Sequence, residues 1–307
     1  MATGGSKKAI LAALGANFGI SVTKFASFLI TGSTSMLAES VHSLADTGNQ
    51  GLLLLGGKRA ARDPTPTHPF GHGRERYFWS FVVAIILFTL GSLFAIYEGV
   101  HKLEHPEPLD SPAFAIGTLI VAIGLEIYSF RTAIVEALPF KGRSSWPTYI
   151  RTSKSPELPV VLLEDLGALV GLFIALIAVS TAAATGNGTF DGIGSLVIGV
   201  LLGVIAIVLA VEMKSLLMGE TAAPEQEAQI RRLIESSPSV NGLIWLRTQH
   251  LGPEELLVAA KVEFDLGLDM PGLARAINEL ESRVRAEVPI AEYLFIEPDI
   301  RQGEPTG

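Results

Sequence analysis

The chain has no cysteine, which excludes disulfides, thiolate metal centres and thiol chemistry. Charge is scarce as well. Asp, Glu, Lys and Arg make up 18% of the residues, against about a quarter in soluble domains. With 49% hydrophobic residues, the balance points to a chain that crosses a membrane several times. No positive excess exists to attract a polyanion. The net charge of -8 sits in residues 220–307, where 16 acidic residues outnumber 8 basic ones, while the 15 acidic and 15 basic residues of 1–219 cancel. A neutral hydrophobic part with an acidic tail argues against nucleic acid as a partner. There is no HExxH string, so an intramembrane metallohydrolase is disfavoured and an enzyme is not expected. Solenoid repeats and low-complexity tracts are missing too. No small-residue cleavage site follows MATGGSKKA, so the first apolar stretch is expected to be retained.

What is present is a series of stretches long enough to cross hydrocarbon, which takes roughly 20 residues. Six are read: Lys8–Thr31, Ser35–Gly57, Tyr77–Leu103, Pro112–Leu138, Pro159–Ala184 and Asp191–Met213. Positive residues gather on one side. Lys7 and Lys8 precede the first span. Lys58, Arg59, Arg62, Arg74 and Arg76 follow the second, and Lys141, Arg143, Arg151 and Lys154 follow the fourth. The positive-inside rule then places both termini in the cytoplasm. From Glu220 the pattern becomes that of a small soluble fold. Ala223–Ser236 and Pro271–Glu287 read as helices, and Leu243–His250, Leu256–Phe264 and Glu292–Glu297 as strands. The order αββαβ predicts an α+β, ferredoxin-like layer. Residues 1–218 are thus expected to form a six-helix transmembrane domain, and 219–307 a cytoplasmic domain.

The polar residues inside the spans carry the chemistry. Ionisable groups in hydrocarbon cost roughly 2.5–3.5 kcal/mol each on insertion scales and usually mark an ion or proton path. In the second span Glu39, His42, Asp46 and Asn49 share one helical face. His42 and Asp46, one turn apart, can reach one cation, and imidazole with carboxylate suits Zn²⁺ but also Fe²⁺, Co²⁺ or Mn²⁺. Glu164 and Asp165 are adjacent in the fifth span, where they would repel unless a cation or proton neutralised them. If the two helices face each other, His42, Asp46 and one or both carboxylates form an N/O site to which Asn49 adds a carbonyl oxygen. Gly48, Gly167, Ala168 and Gly171 would let those helices approach closely.

Plainer roles stand beside these. Asn17, Ser27, Ser40, Asn49 and Gln50 fit interhelical hydrogen bonding, and Glu39 fits a snorkelling position or an outer exit. Lys24 offers a structural counter-charge, and Glu126 with Arg131 reads as a structural pair. In the loop Asp63–Arg76, His68 and His72 are four residues apart and can either chelate a second metal or position a turn. His101, His105 and His250 have no partners defined by spacing.

SMLAESVHSLADTGNQ, then THPFGHGRERYF, six spans and an αββαβ tail together resemble the cation diffusion facilitator family of divalent-metal/proton antiporters. The likeness covers nearly the whole chain and is nearest to the branch that includes an animal mitochondrial zinc transporter. It implies His42 and Asp46 as metal ligands on the second span and Asp165 on the fifth, where the position of a further family ligand is taken by Val161 and Glu164 stands in reserve. It also implies a homodimer joined through the tails. In this tail Ile244 and Lys261 replace metal-binding histidines of some relatives, leaving His250, Glu297 and Asp299 as weaker donors. The expected function is export of a divalent cation, zinc foremost, by proton-coupled alternating access, in a bacterial inner membrane and with no resident cofactor. Metal ligands bind deprotonated, so cation binding expels protons, and His42, with a class value of about 6.5, is the natural switching group. Efflux of iron, cobalt or manganese and proton-linked transport of organic cations are the alternatives, and a metal-sensing receptor would bind without flux.

Overall fold

The computed structural model describes residues 2–31, 34–106 and 112–301. Contacts divide the chain into two compact units, residues 1–59 with 75–214, and residues 60–74 with 215–307.

The first unit is helical. It contains α1 (Ala2–Thr31), α2 (Thr34–Ala60), α3 (Glu75–Ile86), a π-helical turn (Leu87–Leu93), α4 (Phe94–Glu104), α5 (Pro112–Lys141), α6 (Trp146–Thr152), α7 (Glu157–Thr185) and α8 (Thr189–Met218). The segments α3, π turn and α4 run on as one 30-residue span. Among the described residues, five segments are long and apolar enough to cross a membrane: Lys7–Ala26, Glu75–Glu104, Pro112–Lys141, Glu157–Thr185 and Thr189–Met218. The expected second span lies in α2, a 27-residue helix. Its length suffices, but Glu39, His42, Asp46, Asn49 and Gln50 dilute its hydropathy. Large apolar side chains such as Phe18, Ile120, Ile177, Val200 and Val204 are exposed on the helix exteriors, the inside-out pattern that lipid contact requires.

The short α6 has a local cause: Ser145 caps it by accepting from the Thr148 amide, and Pro147 follows in the first turn. α7 ends at Gly186, whose φ of +66° suits a left-handed cap. α5 packs along both α1 and α7. On α8 the glycines face two neighbours. A Cβ on Gly167 or Gly171 of α7 would meet Ile205 or Ile198 of α8, whereas one on Gly48 of α2 would meet nothing within 4 Å. These small residues therefore seat α7 on α8, not on α2 as the sequence suggested.

The second unit holds α9 (Pro224–Glu235), β1 (Val240–Gly252), β2 (Glu255–Phe264), α10 (Met270–Glu287) and β3 (Tyr293–Pro298), which is the expected αββαβ order. The sheet order is β1-β2-β3. β1 and β2 are antiparallel, β2 and β3 parallel, and the parallel step is made possible by the α10 crossover. Ile230 and Ile234 of α9, Leu280 and Val284 of α10, and Leu256, Val258 and Val262 of β2 form its core. The loop after α2 belongs to this unit. Gly73 passes so near Gly252, at the β1–β2 turn, that a Cβ on either would stand 2.9 Å from the other's Cα, and the Phe70 ring packs edge-on against Tyr293.

On β2, the Lys261 ammonium lies 2.7 Å from Asp299 Oδ2 and 3.3 Å from Glu297 Oε1. The hydrogen bond with Asp299 raises Lys261 above its ordinary value, and the same bond holds Asp299 below its own. Asp299 thus contributes stability above the unfolded aspartate value of about 3.9, lost as pH falls through its lower folded value. Lys261 contributes below about 10.4, lost as pH rises through its raised value. Lys261→Met is expected to flatten both limbs of the full chain's melting-temperature profile against pH and to change little at neutrality, since exposed pairs are weak. Unchanged limbs would show that the pair contributes nothing.

Candidate cation site

α7 begins with a buried run, and in it Glu164 and Asp165 are both buried. Successive residues on a helix point about 100° apart, so the two acids face different neighbours. Glu164 turns to α2: Asn49 Nδ2 donates to its Oε1 at 3.2 Å and Gln50 Nε2 to its Oε2 at 2.8 Å. Asp165 turns to α5, where Ser129 Oγ donates to its Oδ2 at 2.7 Å. Each buried carboxylate is thereby given hydrogen bonds in place of water. The amide oxygens Asn49 Oδ1 and Gln50 Oε1 are buried and have no hydrogen-bond partner among the described residues. Gln50 thus has the interhelical role read for it, and its partner is a buried carboxylate on α7.

α1 and α2 are joined one face over. Ser21 Oγ donates to the Ser40 carbonyl and Ser40 Oγ to the Ser21 carbonyl, each at 2.9 Å. Lys24 Nζ donates to Ser43 Oγ at 3.2 Å. The interhelical role read for Ser40 is what the structure displays.

A cavity of about 220 Å³ opens beside these groups, with Lys24, Asp46, Glu126 and Glu164 on its wall, as well as Glu98 and Lys102. Along α7 its lining runs from Glu164 to Ala175, and across the π turn and α4 from Leu87 to Lys102. It therefore extends away from the end where α3 and α7 begin. At that end Arg76 and Glu157 pair, both side chains largely buried, and Tyr77 Oη donates to the Lys154 carbonyl at 3.2 Å. At the other end Lys102 Nζ lies 2.9 Å from Asp191 Oδ2 and 3.6 Å from Glu98 Oε1.

Of the residues singled out in the sequence, Asp46, Asn49, Glu164 and Asp165 meet in this helical unit. Glu39 and His42 belong to α2, but their side chains lie outside the described residues. Among the described residues no three His, Cys, Asp or Glu side chains are close enough to hold one ion. His68 and His72 come together in the loop of the second unit, with ring centroids 4.6 Å apart. His250 is buried, its Nδ1 3.1 Å from the Gly252 carbonyl, which is a local structural role.

Glu126 is the residue the sequence reading misplaced. It is not half of a pair with Arg131, which is exposed on another face. It is buried in a stripe of α5 formed by Thr118, Ala122, Glu126, Ser129, Ala133 and Ala137. That stripe of small residues at helical spacing was the available signal, because it marks the face turned inward.

The fold and the site define an α-helical membrane protein with buried acids beside a largely apolar cavity in its helical unit. Residues 10–218 match the cation efflux transmembrane domain, and the chain belongs to the cation efflux family, a family of transporters rather than enzymes. It is similar to the mitochondrial proton-coupled zinc antiporter SLC30A9 of Mus musculus and of Homo sapiens, 34% identical over 245 residues, or 79% of this chain and 43% of each relative. It is also 30% identical to metal tolerance protein C4 of Arabidopsis thaliana over 263 residues, 85% of this chain and 57% of that one. The chain thus matches about half the length of these relatives.

Proposed function

We propose that this chain exports divalent cations, zinc foremost, by proton-coupled alternating access, with iron, cobalt or manganese as the alternative cargo. The observation that carries the reading is the buried Glu164–Asp165 pair of α7, tied to α2 and α5 and placed beside a cavity. Two buried acids in a membrane helix are best accounted for by a cation that visits them. The names of the zinc antiporter and metal tolerance relatives agree with a metal cargo.

In this reading α2, about 40 Å long at 1.5 Å per residue, crosses as the sixth span. Its polar residues are tolerated because they bond to α1 and α7 rather than to lipid. His42, Asp46, Glu164 and Asp165 are the principal ligands, Asn49 adds an amide oxygen, Glu39 lines the outer exit, and His68 with His72 form a separate donor pair. With both termini cytoplasmic, the Arg76–Glu157 pair closes the inner end and the cavity runs toward the outer face, the direction of release. The ligands bind metal deprotonated, so loading sheds protons and protonation from outside favours release. Residues 1–218 carry transport. Residues 219–307, ferredoxin-like, join two copies into a homodimer in a bacterial inner membrane.

The test is flux into proteoliposomes across a panel of divalent cations, with and without a pH gradient. Zinc uptake accompanied by opposite proton movement is expected. Zinc uptake with no proton movement would remove the coupling. Transport of quaternary ammonium ions with none of metals would remove the metal reading.

A further inference from the structure

Glu126 has no part in the ligand set above, yet it is among the most deeply buried acids in the molecule, 1% exposed. It lines the same cavity as Asp46 and Glu164. Its Oε1 is buried without a hydrogen-bond partner among the described residues, whereas both Glu164 oxygens and one Asp165 oxygen receive donors. Ser129, the next residue of the same inward stripe, is the one that holds Asp165. Glu126 also lies within electrostatic range of Asp165, Glu164, Asp46 and Lys24. Acids gathered in this way around one cavity can be neutralised by protons or by a visiting cation.

α7 cannot complete a donor set alone. The residues one turn from Asp165 are Val161, Leu162, Ala168 and Leu169, and none carries a donor side chain. Each Glu164 oxygen already accepts one amide, from Asn49 and from Gln50. α2 brings Asp46 to the same cavity, and α5 presents a further oxygen, Glu126 Oε1, that is buried and uncommitted among the described residues.

We propose that Glu126 is a cargo ligand, supplying a carboxylate oxygen from the fourth hydrophobic stretch to the cation held by Asp165 and its neighbours. The inference rests on the cavity being a cation path, as argued above. In the present arrangement no three described donors reach one ion, so loading requires these side chains to converge on the cation. An extra carboxylate makes the donor set richer in hard oxygen, which moves its preference toward harder ions such as Mn²⁺.

The test uses the full chain in detergent, with Co²⁺ as a spectroscopic probe and Zn²⁺ competition for affinity. Glu126→Gln should weaken zinc binding by at least about tenfold and change the visible Co²⁺ bands, with the melting temperature of the metal-free protein kept. Glu126→Gln with Val161→Asp, which puts a carboxylate one turn from Asp165, should recover part of the affinity. If Glu126→Gln binds zinc within twofold of the parent and leaves the Co²⁺ spectrum unchanged, the proposal is wrong. A lowered melting temperature with an unchanged spectrum would make Glu126 a counter-charge for Lys24 and overturn it equally. Should the glutamine variant not fold, Glu126→Ala, which removes the donor altogether, decides by the same two readings. Asp165→Asn, run in parallel, separates the failures. If it loses zinc while Glu126→Gln keeps it, only Glu126 falls. If both keep it, the site itself is misassigned.

Discussion

Asp165→Asn is expected to slow metal-driven proton exchange in proteoliposomes by about two orders of magnitude, at an unchanged level of folded protein. Asp165 is 1% exposed and accepts the Ser129 hydroxyl at 2.7 Å. Asparagine has the same shape and can still accept that bond, so the packing of α7 on α5 survives. What disappears is the negative charge that, in the proposed site, would offset the dehydration of a divalent cation in a low-dielectric setting. Loss of an outer partner of a metal ligand already costs about 10–100-fold, and loss of a charged ligand should cost at least the upper end of that range. A pH-sensitive dye inside the vesicles, with a zinc gradient across them, reads the rate. A variant as fast as the parent would mean that cations do not pass Asp165.

The largest structural effect is expected at Gly199. Here α8 meets the span formed by the π turn and α4 with backbone against backbone. A Cβ on Gly199 would stand 2.8 Å from Ile96 N and 3.1 Å from the Ser92 carbonyl. A Cβ on Gly99 would stand 2.7 Å from Leu196 N. Ser92 Oγ donates to the Gly199 carbonyl at 2.8 Å, so pushing the helices apart also strands a buried hydroxyl. Overpacking of this kind costs about 1–3 kcal/mol for a small group, and backbone cannot rotate away as a side chain can. Gly199→Ala should lower the melting temperature of the detergent-solubilised protein by several degrees, and Gly199→Leu should leave little folded protein by size-exclusion fluorescence. Gly48→Ala is the control, since a Cβ there meets nothing within 4 Å. Equal melting temperatures for all three variants would refute the close contact.

These expectations separate what the chain spells out locally from what only packing reveals. Hydropathy located the helices, because a span must be apolar along its whole length, and α2 failed that measure for the reason that made it interesting. Glu164 and Asp165 stood out for the same cause, as costly groups in an apolar run. Their partners did not. Nothing in the spacing tells that Gln50 reaches Glu164, since the residues are 114 apart in sequence. Gly167 and Gly171 looked like a seat for α2, but a glycine signals only that some backbone comes near, and here it is α8. Glu126 was paired with Arg131 by proximity in sequence, although five residues place two side chains about 140° apart on a helix. The loop around Gly73 was grouped with the membrane segments it connects, and its contact with Gly252 is a long-range fit between two residues that lack a Cβ. In the tail the alternation of β2 and the caps of α10 are local signals, which is why αββαβ was readable from the start.

The π-helical turn at Leu87–Leu93 interrupts a span of 30 residues at its middle, beside the cavity. Such a turn carries one residue more than the α-helical path needs. Sliding that surplus residue one position along would turn only the residue it passes, by about 100°, and leave the helix on either side in register. Glu98 and Lys102 lie beyond it, and Arg76 and Tyr77 before it. The span can thus keep both ends moored while single side chains at its middle are turned toward the passage or away from it, as a ripple runs along a rope held at both ends.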